Sequence, residues 1–453
     1  MKQYNRFTPR ASLAWIGKLS RQMGLWDEIQ QSVQIRQKKA GHDPIDKLKD
    51  AWINILCGGR GIVQINTLLR SDAALQRAFG RHSCAEQSSV SRTLNACASE
   101  QVQQMREAGQ AIFRKHSRSY RHNYVQEYQW LDVDMTGLLA GKQGEGVTKG
   151  FFSDKRGKRG RQVGRVLATL YNESVVDRLY TGKVQLERSF QELLLEAEKV
   201  LNLDEARRQH TIVRMDGGGG TDEDINWSLA RGYGIVAKVK SWRRTEMLLR
   251  RVKVWYADPK DENRTLGWVE PPFAYARPTR QMGVHQTRAN GTYYQYVVVI
   301  SLTDEQIWVE QGRPFQPQTP PAQLLSLAEE LYDRRNGGIE TANRNSKSGL
   351  GLNKRNKRSF AAQEMLVLLA QLAYNLLSWV HHRLAPPGSP FVQYGWQRMV
   401  RDLFQIPGRL VFDGNDRLIA IRLSRDHPLS TPFLLAALAV GKAYDLSVIL
   451  RKN

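Results

Sequence analysis

Trp130-Leu131-Asp132-Val133-Asp134-Met135-Thr136 reads as a strand that sends Asp132, Asp134 and Thr136 to one face and Leu131, Val133 and Met135 to the other. Two carboxylates on one side of a half-buried strand raise each other's pKa, so the pattern calls for a cation, either a bound metal or an internal basic partner. A second apolar run, His210-Thr211-Ile212-Val213-Arg214-Met215-Asp216, is also closed by an acid, and Glu340 follows on a later helical stretch.

The chain that carries these acids is strongly basic: its 453 residues hold 67 Lys+Arg against 44 Asp+Glu, a formal charge of +23. A polyanionic partner follows from that balance. Hard divalent cations prefer carboxylate oxygens, and attack on a phosphodiester needs positive charge on the entering and leaving oxygens. Asp134, Asp216 and Glu340 in such a chain therefore predict magnesium-dependent chemistry on a nucleic-acid backbone.

Hydrophobic residues make up 41% of the sequence, enough for a large core, and the length suggests roughly two to four domains. Cys57, Cys84 and Cys97 lack C-x-x-C spacing, which argues against a zinc ribbon or a disulfide framework and fits a reducing cytosol. Met1 to Arg6 is not followed by a continuous apolar run, and the oiliest stretch, Ala361 to Val380, contains Gln363, Glu364, Gln371 and Asn375. Neither a signal peptide nor a membrane span is predicted, and the expected location is cytoplasmic.

Periodicity divides the chain. Residues 1–124 are mostly helical, with little strand-like alternation. Residues 125–245 give three strands (Gln129 to Met135, Val163 to Tyr171, Val175 to Gly182), a helix from Leu186 to Leu201, a strand ending at Asp216, a helix from Asp222 to Arg231 and a strand from Ile235 to Lys240. That order is the order of an RNase H-like sheet. Residues 246–310 form a β-rich insertion with strands expected at Arg251 to Tyr256, Leu266 to Val269 and Tyr293 to Leu302. Helical periodicity returns in 311–385, at Leu324 to Tyr332 and Phe360 to Leu384, and 386–453 is a small mixed segment. The predicted fold is α/β: an RNase H-like mixed five-stranded sheet flanked by helices, with a helical N-terminal domain and the insertion.

Gly217-Gly218-Gly219-Gly220 after the second acid lacks the Gly-Lys-Ser/Thr of a P-loop, so an ATPase is not indicated. Glu340, Arg344 and Lys347 stand at i, i+4 and i+7, one stripe of a helix, which brings an acid and two bases together. Asp132 shares a face with Asp134 and is a further candidate ligand.

These residues resemble the DDE transposases of bacterial insertion sequences, in the group with a β-strand insertion between the second aspartate and the glutamate. Asp134-Met135-Thr136 looks like the first D-x-T motif, and Arg214-Met215-Asp216-Gly217-Gly218 looks like the second. Tyr332, Arg335, Glu340 and Lys347 look like the Y-x2-R-x3-E-x6-K signature, except that four residues rather than three separate Arg335 from Glu340 and two of them are Gly337 and Gly338.

The resemblance implies an enzyme that binds terminal inverted repeats, cleaves DNA at element ends and joins the 3′-hydroxyls to target DNA. It implies two Mg²⁺, replaceable by Mn²⁺, on Asp134, Asp216 and Glu340, and a homodimer on double-stranded DNA. Lys347 and Arg344 would hold a phosphate near the scissile bond, beside Tyr332 and Arg335. Further DNA contacts are expected from Lys155 to Arg161, from the run Lys238 to Arg244 with Trp242, Arg243 and Arg244, from Lys354, Lys357 and Arg358, and from Arg92 in the helix beginning at Gln87, and with them a place at the bacterial nucleoid. Two other readings use the same residues: another RNase H-like nuclease, such as a resolvase or defence enzyme, and an inactive domesticated DNA-binding relative.

Overall fold

A computed structural model describes residues 4–37, 41–152, 157–441 and 447–451; Lys155 and Arg156 of the expected basic run lie outside the described residues. The chain opens with strand β1 (Tyr4–Thr8) and continues through helices that include Ala11–Gln22, Pro44–Leu56, Gln87–Asn95 and Ser99–His116. Strands β2 (Gln129–Leu139), β3 (Thr148–Lys149), β4 (Arg159–Ala168), β5 (Glu173–Thr181), β6 (Thr211–Met215) and β7 (Gly234–Lys238) follow, interrupted by the helix Phe190–Leu201 between β5 and β6 and the helix Asp222–Ala230 between β6 and β7.

Among these strands β5, β4, β2, β6 and β7 lie side by side in that order. β5–β4 and β4–β2 are antiparallel, while β2–β6 and β6–β7 are parallel. All five residues of β6 are buried, as an interior parallel strand requires, Arg214 included because it pairs with a buried acid on β2.

The sheet does not stop at five strands. The insertion contributes β8 (Tyr256–Asp258), β9 (Asp261–Trp268), β10 (Arg280–Thr287) and β11 (Tyr293–Ile300), and β11 pairs antiparallel with β7. The five-stranded sheet with a separate insertion is thus corrected to one ten-stranded sheet. The physical reason is the outer edge of β7, whose open backbone groups β11 satisfies. β10 was missed because Gly283 and His285 break the apolar run around Met282 and Val284. The strand expected at Arg251 to Tyr256 reduces to one bridge, Val252 to Val269, before β8 begins.

β1 pairs antiparallel with β12 (Gly408–Phe412), and a second sheet runs β1-β12-β13-β14 with β13 (Leu418–Ser424) and β14 (Ser447–Arg451). The first described residues and the tail therefore share one sheet. Tyr4 stacks on Phe412 with ring centroids 5.5 Å apart, which fixes that pairing.

Alternation on β2 separates two cores. Leu131 and Val133 face a large cluster that includes the N-terminal helices and Phe360–Leu384, whereas Trp130 faces a second cluster with Leu325, Ala328 and Leu331 from the helix Pro321–Arg335. Phe360–Leu384 has the length and apolarity of a membrane span, and 78% of its most apolar window is buried inside the protein. Its polar side chains face neighbours: Asn375 accepts from the Ser174 N–H and donates to the Ser174 carbonyl, and Glu364 pairs with Arg106. Ser359 caps its start, and Pro386-Pro387 follows its end.

Candidate active site

Two strands carry the site in two layers. On β2 and β6, Asp132 and Arg214 are direct parallel neighbours, and their side chains form a buried bidentate pair at 2.7 and 2.9 Å. Two residues further along each strand, on the same face, stand Asp134 and Asp216, the latter just past the end of β6. The lower layer is a closed ion pair; the upper layer opens on a groove. Asp132, expected as a further candidate ligand, is instead fully buried and committed to Arg214, because the side chain of Arg214 points to the same face.

Asp134 is fixed from several sides. Its Oδ1 accepts from the Met135 N–H at 2.8 Å, and its Oδ2 accepts from the Asn343 amide at 3.1 Å. Opposite it on β4, Arg165 is held by Asp177 at 2.6 and 2.7 Å and by the Ser346 hydroxyl at 2.8 Å. Burial drives the Asp134 carboxyl well above the usual carboxylate range; Arg335 draws it back, and the charge of Asp216 pushes it up again.

Asp216 is turned by the glycines that follow it. Its Oδ1 accepts from the Gly218 N–H at 2.7 Å. A Cβ on Gly220 would lie 1.7 Å from the Lys238 carbonyl, so the loop can tuck against the end of β7 only with glycine there. That tuck brings Lys238 near Asp216. Burial lowers the pKa of Lys238 and Asp216 partly restores it, while its ammonium lies 4.6 Å from the Tyr296 ring centroid.

The third carboxylate comes from the helix that starts at Pro321. After Arg335 the chain makes a π-turn over Asn336–Glu340, resumes α-geometry at Thr341–Arg344 and makes a second π-turn over Asn345–Gly349. The first π-turn absorbs the extra residue between Arg335 and Glu340. Gly338 lies at the kink, with φ −85° and ψ −105°, and a Cβ there would stand 2.6 Å from Asp132 Oδ2. Glycine is needed at that point to let the helix cross close over β2.

One guanidinium joins the trio. Arg335 Nη2 lies 3.2 Å from Asp134 Oδ2 and 3.5 Å from Asp216 Oδ2, and Nη1 donates to Glu340 Oε1 at 2.8 Å. Burial disfavours the charged form of Arg335, but Asp134 and Asp216 outweigh it and hold the arginine protonated. All three side chains offer carboxylate oxygen, the donor a hard cation prefers, and as they stand around Arg335 they form no three-ligand metal centre among the described residues.

The trio lines a solvent-open groove of about 940 Å³, together with Thr136, Asn343, Arg344, Lys347 and Lys354. Lys347 donates to the Thr136 hydroxyl at 3.0 Å, which ties the end of the helix to the Asp134-Met135-Thr136 motif. Tyr332 is largely buried against Tyr296 and does not line the groove.

The remaining expected DNA contacts lie elsewhere. Trp242 is 69% exposed and Arg243 is exposed, but Arg244 is bound to Asp222 at 2.6 Å and stacks over Phe273 at 4.0 Å. Arg92 and Arg358 are exposed, whereas Lys357 is half-buried and donates to the Ser91 hydroxyl at 2.5 Å. Lys238, the first residue of the basic run expected to track DNA, lies beside Asp216 instead, and Asn343 belongs to the site but escaped sequence reasoning. Asn343 stands three residues after Glu340, a helical spacing that would have flagged it.

A mixed α/β fold with one aspartate on a strand, one just past a strand end and a glutamate on a helix, all around Arg335, defines a carboxylate-centred site facing a groove with Arg344, Lys347 and Lys354. Residues 6–442 match the family described as Transposase DDE domain group 1, and the chain belongs to that family. Among curated proteins none matches the chain. Among solved structures, the piggyBac transposase synaptic complex with hairpin DNA, determined by cryo-EM, is similar at 13% identity and a TM-score of 0.43, over 89% of this chain and 82% of that one.

Proposed function

We propose that the chain is a DNA transposase that binds terminal inverted repeats, cleaves DNA at element ends and joins the freed 3′-hydroxyls to target DNA. The observation that carries this reading is the convergence of Asp134, Asp216 and Glu340 on one positive charge at the floor of a groove walled by Arg344, Lys347 and Lys354. The strand order β5-β4-β2-β6-β7 supports an RNase H-like core.

Asp134, Asp216 and Glu340 would hold Mg²⁺, two ions per site, with Mn²⁺ able to substitute. Bound there, the cations supply positive charge at the attacking and leaving oxygens of a phosphodiester. The chain's own residues do the rest. Asn343 and the Met135 N–H orient Asp134, and Gly218 orients Asp216. Lys347, Arg344 and Lys354 hold backbone phosphates along the groove. The helical segment before β2, with Arg92, holds the element end, and two copies bring two ends together.

The test is a labelled duplex bearing the element's end, incubated with a target plasmid and Mg²⁺, with Asp216→Asn as the comparison. Joined product that requires Mg²⁺ and Asp216 is expected. Cleavage without joining would select an RNase H-like nuclease, and binding without metal-dependent cleavage would select an inactive relative.

A further inference from the structure

Arg335 is placed where it satisfies three acids at once. Its two terminal nitrogens reach Asp134, Asp216 and Glu340 at 3.2, 3.5 and 2.8 Å, its side chain is only 7% exposed, and its Nε has no hydrogen-bond partner. The π-turn is what allows this, since five residues of regular α-helix would turn Glu340 away from Arg335. The extra residue between Arg335 and Glu340 therefore has a structural consequence: it folds the arginine into the carboxylate trio.

Three carboxylates this close repel one another unless a cation sits among them. A planar guanidinium meets the need by bridging oxygens on different side chains. A divalent cation would require the same lone pairs, at contact distances of about 2.0–2.1 Å for Mg²⁺, and would set two positive charges against a third. The two cations exclude each other. Because only the terminal nitrogens are engaged and the groove is open, the side chain can withdraw without breaking a bond at Nε.

We propose that Arg335 is an internal counter-ion of this site, a positioning residue that preorganises the trio in the metal-free protein and must leave it before divalent cations load. The inference rests on the metal-binding reading of Asp134, Asp216 and Glu340. It makes the resting site resistant to metal and gives loading a defined barrier, the rupture of three ion pairs.

The test is Mn²⁺ binding to the full chain without DNA, read by electron paramagnetic resonance, in wild type, Arg335→Gln, Arg335→Lys and Asp216→Asn. Arg335→Gln should bind Mn²⁺ at least about tenfold more tightly than wild type, Arg335→Lys should fall between them, and adding Asp216→Asn should cancel the gain. Equal or weaker binding by Arg335→Gln, with Asp216→Asn still weakening wild type, overturns the counter-ion role and leaves the metal site standing. No binding at the trio in either wild type or Arg335→Gln overturns both. In the wild-type protein, the Arg335 Nε–H resonance should shift on addition of Mg²⁺ and not in Asp216→Asn; a resonance that stays in place in both overturns the proposal without recourse to the arginine variants.

Discussion

Arg335 and Glu340 are joined by a 2.8 Å hydrogen bond across five residues of a single helix, a separation that regular α-geometry carries to different faces. The π-turn over Asn336–Glu340 makes the pairing possible, and Gly338 makes the π-turn possible, because nothing larger fits between it and Asp132. Gly337, one residue earlier, has open space around it. Gly338→Ala should therefore lower unfolding free energy by about 1–3 kcal/mol through overpacking. Gly337→Ala should leave it unchanged or raise it by up to about 1 kcal/mol, since alanine favours helix. Chemical denaturation checks both, and equal losses would contradict the assignment of the close approach to Gly338.

Asp132 and Asp134 share a strand face yet are assigned opposite roles. Asp132→Asn leaves the Arg214 guanidinium buried without a counter-charge and should cost about 3–5 kcal/mol of stability. Mn²⁺ affinity of the folded variant should be unaltered. Asp134→Asn should do the reverse, losing Mn²⁺ binding with a smaller loss of stability. Denaturation and metal titration on the same samples separate the two, and loss of Mn²⁺ binding in folded Asp132→Asn would make Asp132 a ligand.

How far the sequence carried the reading differs by layer. Alternation on β2 and the acid closing β6 announced Asp134 and Asp216, because a period of two assigns faces without knowledge of partners. The same alternation could not tell Asp132 from Asp134, since what separates them is Arg214 on the neighbouring strand, a contact between residues 82 apart. The extra residue before Glu340 was visible, but its accommodation was not: a π-turn depends on the space above β2. The pairing of β7 with β11 and of β1 with β12 was hidden for the same reason, being set by which edges meet.

Glu329 lies on the same helix as Arg335, one turn before Tyr332, and is fully buried with its Oε1 accepting from the Tyr296 hydroxyl at 2.5 Å. Burial pushes its carboxyl up to about 8, against an ordinary value of 4.5. Between those values the folded chain holds a proton that the unfolded chain has released, so this group's contribution to stability is full at low pH and is lost as pH rises through about 8. Glu329→Gln should flatten the fall in stability between pH 5 and pH 8, measured by denaturation at fixed ionic strength, a range of about three pH units within that window. An unaltered slope would show that Glu329 is ionised in the folded chain.

Basic residues sort by their partners. Lys354 is exposed and lines the groove, while Lys357, expected beside it as a DNA contact, holds Ser91 of the helix Gln87–Asn95. Lys354→Ala should reduce the slope of log affinity for DNA against log salt by about one unit. Lys357→Ala should leave that slope unchanged and lower thermal stability. A flattened slope for Lys357→Ala, with none for Lys354→Ala, would reverse the assignment.

The central claim is that Asp134, Asp216 and Glu340 act together as the metal-binding carboxylates of a DNA-cleaving site. Its most direct test is single-turnover cleavage of a labelled element end in Mg²⁺ by Asp134→Asn, Asp216→Asn and Glu340→Gln, each confirmed to bind the DNA. Every variant should lose about three orders of magnitude or more in rate, the scale of several kcal/mol of transition-state charge stabilisation. A variant that binds DNA and cleaves it at the wild-type rate would contradict the account.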